Sequence, residues 1–214
     1  MEKIVYTAIT GLKDALKEKQ ETKGAKFVAF LENPQESTTW TVEKALMDSP
    51  DPNRCAKKYK ILPHKYFPHA EYSLWIDGST TLLTPLDDLV DLYLKDDDIA
   101  LHKHYMRDCA YDEAMTCGAM GLDNADVISK QMARYFVTEK YPAHNGLAEC
   151  TIILRRHTPQ IQALNELWWK EISGGSRRDQ LSFNYCCWKT GVKYKEMVNT
   201  VYNSPHFKVE KHLK

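Results

Sequence analysis

Ser73-Leu-Trp-Ile-Asp-Gly-Ser79, running on through Thr80-Thr-Leu-Leu83, decides how this chain reads. An apolar run rises to a lone carboxylate, Asp77, breaks at Gly78 and passes through three hydroxyl residues. A buried strand that delivers one acid to its carboxyl end is a usual way for an open α/β sheet to hold a polar ligand, because ligands collect outside those ends. Read functionally, Asp77 faces a diphosphate, through a divalent cation or a ribose. Read structurally, it is a solvated acid in the turn after a strand.

The flanking sequence alternates strand and helix patterns. Lys3–Ile9 and Lys26–Leu31 are short apolar runs closed by turn residues, as in strands buried on both faces. Tyr72–Ile76, Asp97–His102 and the β-branched Glu149–Leu154 read as further strands. Leu86–Leu94, Asp123–Thr138, Gln160–Ile172 and Asp179–Lys189 carry apolar residues at helical spacing. Thr41–Met47 also reads as a helix, Asp48–Arg54 as a loop, the Pro63–Pro68 stretch as irregular, and everything after Asn203 as a polar tail. This alternation predicts one α/β domain over residues 1–214, a mostly parallel sheet flanked by helices.

Lys plus Arg and Asp plus Glu both number 29 in these 214 residues, so the formal net charge is zero. That excludes the electrostatic footprint of a nucleic-acid binder or of an anionic-membrane binder, and favours a small ligand. No apolar stretch approaches the ~20 residues of a membrane span, and the amino terminus runs straight into a strand pattern without a signal-peptide core. The six cysteines are scattered, without zinc-site spacing, and are expected as reduced thiols in a cytoplasmic protein.

The nine glycines form no phosphate-binding loop, so a bound diphosphate must be neutralised by a cation or by basic side chains. Arg177-Arg-Asp-Gln180 puts two guanidiniums before an acid and an amide at a helix N-terminus, where backbone N–H groups favour anions. There Asp179 is an N-cap, an acceptor of sugar hydroxyls, or both. His102-Lys-His104, Arg107-Asp108 and Tyr111-Asp-Glu113 make a dense polar run past a strand end, suited to phosphates and hydroxyls or simply to water. His144, Asn145 and Glu149 cluster before a strand; a buried Glu149 would serve as a base and an exposed one would not. His157 closes that strand. His206 and His212 lie in the tail, available as imidazole ligands if the tail folds back. Trp168 reads as core, and Trp169, off the apolar stripe, as half-core or a saccharide platform.

In order, Ile4–Gly11, Lys60–Pro68, Ser73–Ser79, Arg107–Ala114, His144–Glu149 with Arg155-Arg-His157, and Arg178–Phe183 resemble the glycosyltransferase-like domain, long of unknown function. Plant cell-wall and mucilage polysaccharide proteins and bacterial surface-polysaccharide loci share that domain. The resemblance implies a single GT-A-like (Rossmann-like) domain that binds a nucleotide sugar, with a uridine diphosphate donor favoured, and a saccharide acceptor. It also implies a divalent cation, Mn or Mg, held through an Asp-x-Asp motif. On that pattern Asp77 is the first acid, Ser79 stands where the second would be, and His212, or secondarily His206, completes the metal site. A hydroxyl ligates far more weakly than a carboxylate, which puts the metal in question.

The same resemblance implies the other roles. Thr7, Ile9 and Gly11 border base and ribose. Asp77, Gly78 and Ser79 face the diphosphate with Arg107 and Arg178, Asn145-Gly146 lies near acceptor and donor sugar, and Asp179 and Gln180 contact the transferred sugar. Glu149 and Asp108 are the candidate bases. Plant members carry a membrane anchor ahead of the domain, and this chain is expected as a free catalytic domain. The competing expectations are a nucleotidyltransferase, which Thr10-Gly-Leu-Lys-Asp14 serves poorly, and a non-catalytic module that has lost its second acid.

Overall fold

The computed structural model describes every residue except 1, 13 and 212–214. Its strands are β1 (Glu2–Ile9), β2 (Lys26–Leu31), β3 (Thr41–Lys44), β4 (Ala70–Ile76), β5 (Thr80–Leu82), β6 (Ile99–Lys103), β7 (Ala148–Arg156), β8 (Lys195–Glu196) and β9 (Phe207–Val209). The helices are α1 (Pro52–Ile61), α2 (Pro63–Tyr66), α3 (Leu86–Tyr93), α4 (Ala110–Ala119), α5 (Ala125–Ala133), α6 (Pro159–Gly174) and α7 (Gln180–Thr190). Seven strands form one sheet in the order β3-β2-β1-β4-β7-β6-β8, and β5 pairs with β9 in a second. The expected mixed α/β fold, a mostly parallel sheet between helices, is present; β7 alone runs against both its neighbours.

The pleat sorts the apolar runs between two cores. Val5, Leu74, Ile76 and Leu154 face α3, while Ile4, Tyr6, Trp75 and Ile153 face the layer of α1, α4, α5, α6 and α7. Alternate residues of one strand therefore bury on opposite sides, and each fully buried Leu or Ile contributes about 2 kcal/mol.

Four local readings are corrected. Residues 41–44 form an edge strand beside β2, not a helix, because the Val28 to Leu31 backbone offers them a ladder. The expected loop ends early, at Asp51, where α1 begins, and the expected irregular stretch holds α2: Asp51 caps the first helix, accepting from the Asn53 amide at 3.0 Å, and Pro52 occupies the first helical position, where a missing N–H costs nothing. The polar run after β6 coils into α4. The tail returns as β9, whose Phe207 is buried.

Candidate functional site

The carboxyl ends of β1 and β4 and the opening of the antiparallel β7 meet at one rim of the sheet, with α1 and α7 over it. On α1, Asn53, Lys57 and Lys60 recur at i, i+4 and i+7, so one helix face carries all three to that rim. The Lys60 carbonyl accepts from Tyr6 Oη at 2.9 Å and from Arg155 Nη1 at 2.8 Å. Two buried donors thus fix the backbone from which the Lys60 side chain projects.

Asp77 leaves β4 at this rim. Its Oδ1 accepts from Trp75 Nε1 at 2.7 Å and lies 3.2 Å from Lys60 Nζ. The turn closes with the Thr80 amide on the Asp77 carbonyl at 2.9 Å. Gly78 is required there: a Cβ would lie 2.9 Å from Ile9 Cγ1 and 3.1 Å from Asp14 Cβ. Ser79 is buried, and its carbonyl accepts from the Glu210 amide at 3.0 Å.

Asp179 opens α7 as its cap and is an acid locked in place. Its Oδ2 lies 2.7 Å from Lys60 Nζ and 2.5 Å from Lys57 Nζ. Burial works to raise its pKa, but the two ammoniums outweigh burial and hold the carboxyl far below the usual range. Gln180 turns the other way and donates to Glu149 Oε2 at 2.9 Å, while Arg178 donates to Gln180 Oε1 at 3.1 Å. Glu149 also accepts from Thr151 Oγ1 at 2.8 Å. Burial raises the Glu149 pKa and the Asp179 and Asp77 charges add to it, against the Thr151 bond and the Lys60 charge. Asp77, Asp179, Gln180, Glu149 and Arg178 therefore form one connected cluster.

Beside the cluster lies a cavity of about 380 Å³ lined by Thr10, Gly11, Asn53, Lys57, Arg177 and Arg178, with Pro52 and Leu122. It adjoins a narrow cleft of about 60 Å³ that contains Asp77, Gly78, Lys60 and Trp75. A third hollow of about 120 Å³, walled by Ile9, Leu12, Leu31, Glu32 and Asn33, continues across the ends of β1 and β2.

Several expected site residues do other work. Thr7 is buried within β1, and the cleft wall is formed by Ala8, Ile9 and Thr10. Arg107 pairs with Glu113 at 2.6 Å, and His104 Nδ1 accepts the Met106 and Arg107 amides, so the polar run holds its own turn. Asp108 is exposed and bonded to His144 Nδ1 at 2.8 Å, outside the cluster, which leaves Glu149 as the base candidate in place. Gly146 takes φ +81° and packs on Asn184, whose amide reaches the Asn145 carbonyl; Asn145 itself is exposed. His157 meets Ser73 at 2.8 Å at the far end of β7, with a pKa pushed down to about 4 by burial. His206 is bonded to Thr84 Oγ1 at 3.0 Å, and His212 lies outside the described residues. Trp168 is buried and Trp169 packs on the same core. All six cysteines are free and buried. The residues that reading the sequence missed are Asn53, Lys57 and Lys60; Asp51-Pro52 was the signal for the helix that bears them.

At Asp77 one oxygen of the carboxylate is already engaged. Lys60 and Trp75 take Oδ1, and Ser79 supplies a buried turn rather than a carboxylate. Elsewhere Cys109, Asp112 and His144 bring ligand-type atoms within 4.8 Å of one another, but Cys109 and Asp112 are the cap and third residue of α4, neighbours in any first turn.

The model of the TOD1/MUCI70 glycosyltransferase-like domain family matches residues 15–212. The chain is 33% identical over 143 residues to "Probable hexosyltransferase MUCI70" of Arabidopsis thaliana, covering 63% of this chain and 25% of that protein. It is 26% identical over 138 residues to "Alkaline ceramidase TOD1" of the same plant, covering 59% and 29%. The chain thus spans under a third of the length of these relatives. Similar solved structures include a glycosyltransferase involved in glycosylation of the PBCV-1 major capsid (TM-score 0.41, 9% identity, 80% of this chain and 67% of that one). Another is mouse xyloside xylosyltransferase 1 (TM-score 0.48, 9% identity, 92% and 84%).

Proposed function

The chain belongs to the TOD1/MUCI70 glycosyltransferase-like domain family, and from that premise we propose that it moves a hexosyl group from a nucleoside-diphosphate sugar to a saccharide hydroxyl. The product would be a surface polysaccharide or glycoconjugate. The observation that carries this reading is the cavity lined by Lys57, Arg177 and Arg178 next to Asp77 at the strand-end rim. Fixed cations suit a diphosphate before and after its sugar leaves, because the departing oxygen gains charge. Such a polar cationic lining is a poor host for the acyl chains of a ceramide.

In this reading the base lies in the hollow by Ile9 and Leu31, and Asp77 meets the ribose or the donor sugar. Asp179 and Gln180 set the floor beneath the transferred sugar. Glu149 takes the proton as the acceptor oxygen attacks the anomeric carbon, whose bond to the diphosphate oxygen breaks with its electron pair on that oxygen. Among the described residues no helix is long and apolar enough to cross a membrane. We place the protein in the cytoplasm, with a uridine nucleotide as the favoured donor.

The test is nucleotide release from a panel of uridine and guanosine diphosphate sugars, with and without oligosaccharide acceptors. Turnover by wild type that falls at least about 100-fold in Glu149→Gln, with folding kept, supports an enzyme. A second reading, a nucleotide-sugar binding module, draws on Ser79 in the second acid position; nucleotide binding without turnover on any donor would favour it.

A further inference from the structure

We propose that Lys60 is the resident cation of this site, standing at Asp77 where the resemblance places a divalent ion. Nucleotide-diphosphate binding then depends on Lys57, Arg177 and Arg178 and not on a metal. This rests on the nucleotide-sugar reading above and deepens it.

Geometry comes first. Lys60 Nζ is 3.2 Å from Asp77 Oδ1 and 2.7 Å from Asp179 Oδ2, so the ammonium bridges the two acids. An ion ligated by Oδ1 would sit about 2.0–2.4 Å from that oxygen. It would have to share that one oxygen with the Lys60 ammonium, a like charge, and with the Trp75 N–H.

Lys60 has nowhere else to go. It is 1% exposed, its carbonyl is gripped by Tyr6 and Arg155, and its Nζ lies 5.5 Å from the centre of the Trp75 ring. A surface lysine swings on a flexible stem; this one is packed along its length. Ser79, meanwhile, is 2% exposed and tied through its carbonyl to Glu210, so the second ligand position is built as a turn.

Charge accounting agrees. Asp77 and Asp179 balance Lys57 and Lys60, and Arg177 is held 3.3 Å from Asp51 and 3.7 Å from Asp123. Glu113 pairs closely with Arg107 at 2.6 Å and stays 4.0 Å from Arg178. The 380 Å³ cavity has Lys57, Arg177 and Arg178 in its lining and no carboxylate among the described residues that line it. An entering diphosphate therefore meets N–H donors of fixed cations, Arg178 the least neutralised of them, without an added ion.

The experiment is calorimetric titration of uridine and guanosine diphosphates into the full chain, in EDTA and in manganese, with Lys60→Gln alongside. Electron paramagnetic resonance of manganese, with nucleotide alone and with nucleotide plus protein, is a second readout that needs no variant. Wild-type affinities in EDTA and manganese should agree within about threefold, and the protein should not add to the manganese bound by nucleotide. Lys60→Gln, its fold checked by circular dichroism, should lose at least about tenfold in EDTA and recover part of that loss in manganese. A wild-type affinity that rises more than about tenfold with manganese overturns the inference while leaving the donor reading intact. So does tight manganese taken up only by the ternary mixture. If neither nucleotide binds under any condition, the donor reading fails and this inference fails with it.

Discussion

Asp77 and Glu149 stand at the same rim of the sheet although their strands run in opposite senses. Asp77 directly follows β4, Glu149 is the second residue of β7, and the Asp77 amide donates to the Thr151 carbonyl at 3.0 Å. Reversing one strand gathers into one site two acids that lie 72 positions apart in sequence.

That proximity predicts a pH profile. Burial, then the Asp179 and Asp77 charges, keep the Glu149 carboxyl above its ordinary range, so kcat/KM should fall as acid protonates the base at a pH above about 4.3. Gln180→Ala removes a donor to the charged form and should move the acid limb higher still. Because folding raises this pKa, the linked stabilisation is present below the unfolded value and lost as pH rises through the folded one. Glu149→Gln should therefore melt no lower than wild type at pH 7 while turnover drops.

Asp179 carries the opposite sign. Its depressed pKa makes it stabilising above the ordinary carboxylate pKa, and the stabilisation fades as acid approaches its much lower folded value. Asp179→Asn strands Lys57, leaves Lys60 with Asp77 alone and should cost roughly 3–5 kcal/mol at pH 7. Denaturant melts should show the gap to wild type narrowing as pH drops below about 3.9.

Gly78→Ala should push the end of β1 outward, since the new methyl would meet Ile9 Cγ1 at 2.9 Å. A cost of about 1–3 kcal/mol and weaker nucleotide binding are expected. Ile9→Ala in the same chain should return part of both losses, a coupling that a double-mutant cycle in thermal melts and titrations would measure.

Tyr105 and Tyr202 meet edge to face at 5.6 Å, are 55% and 65% exposed, and lie near Glu149, whose charge adds to burial in raising the Tyr202 phenol. Exposed paired rings beside a base suit the C–H face of an acceptor sugar. Tyr202→Ala should raise acceptor KM by about tenfold, near 1.4 kcal/mol, with nucleotide affinity and melting temperature unchanged.

Much of the sheet was legible because a strand buried on both faces writes itself as an apolar run; β1, β2, β4 and β7 all did so. Asp77 was legible as the break in one such run. The lysines of α1 were not, since their stretch is rich in Lys, Asp and Pro and its mean character is that of a loop. Only the cap and the first-turn proline mark it as a helix, and what makes Lys60 functional is the pair of acids that β4 and α7 bring to it. The strand at 41–44 escaped for a related reason: four residues, three of them exposed, have no period of their own and take it from β2. Asp108 could not be placed from sequence because its neighbour in space is the exposed His144, not the rim.

The pairing of β5 with β9 bears on handling the protein. Residues 207–210 hold the turn after Asp77, through the Glu210 amide on Ser79 and the Glu210 carboxylate against Lys17. Tension on the chain beyond Glu210 would bear on the ligand-bearing bend, whereas the amino end of β1 lies at the opposite rim of the sheet. For immobilisation or display, the amino end is the safer handle.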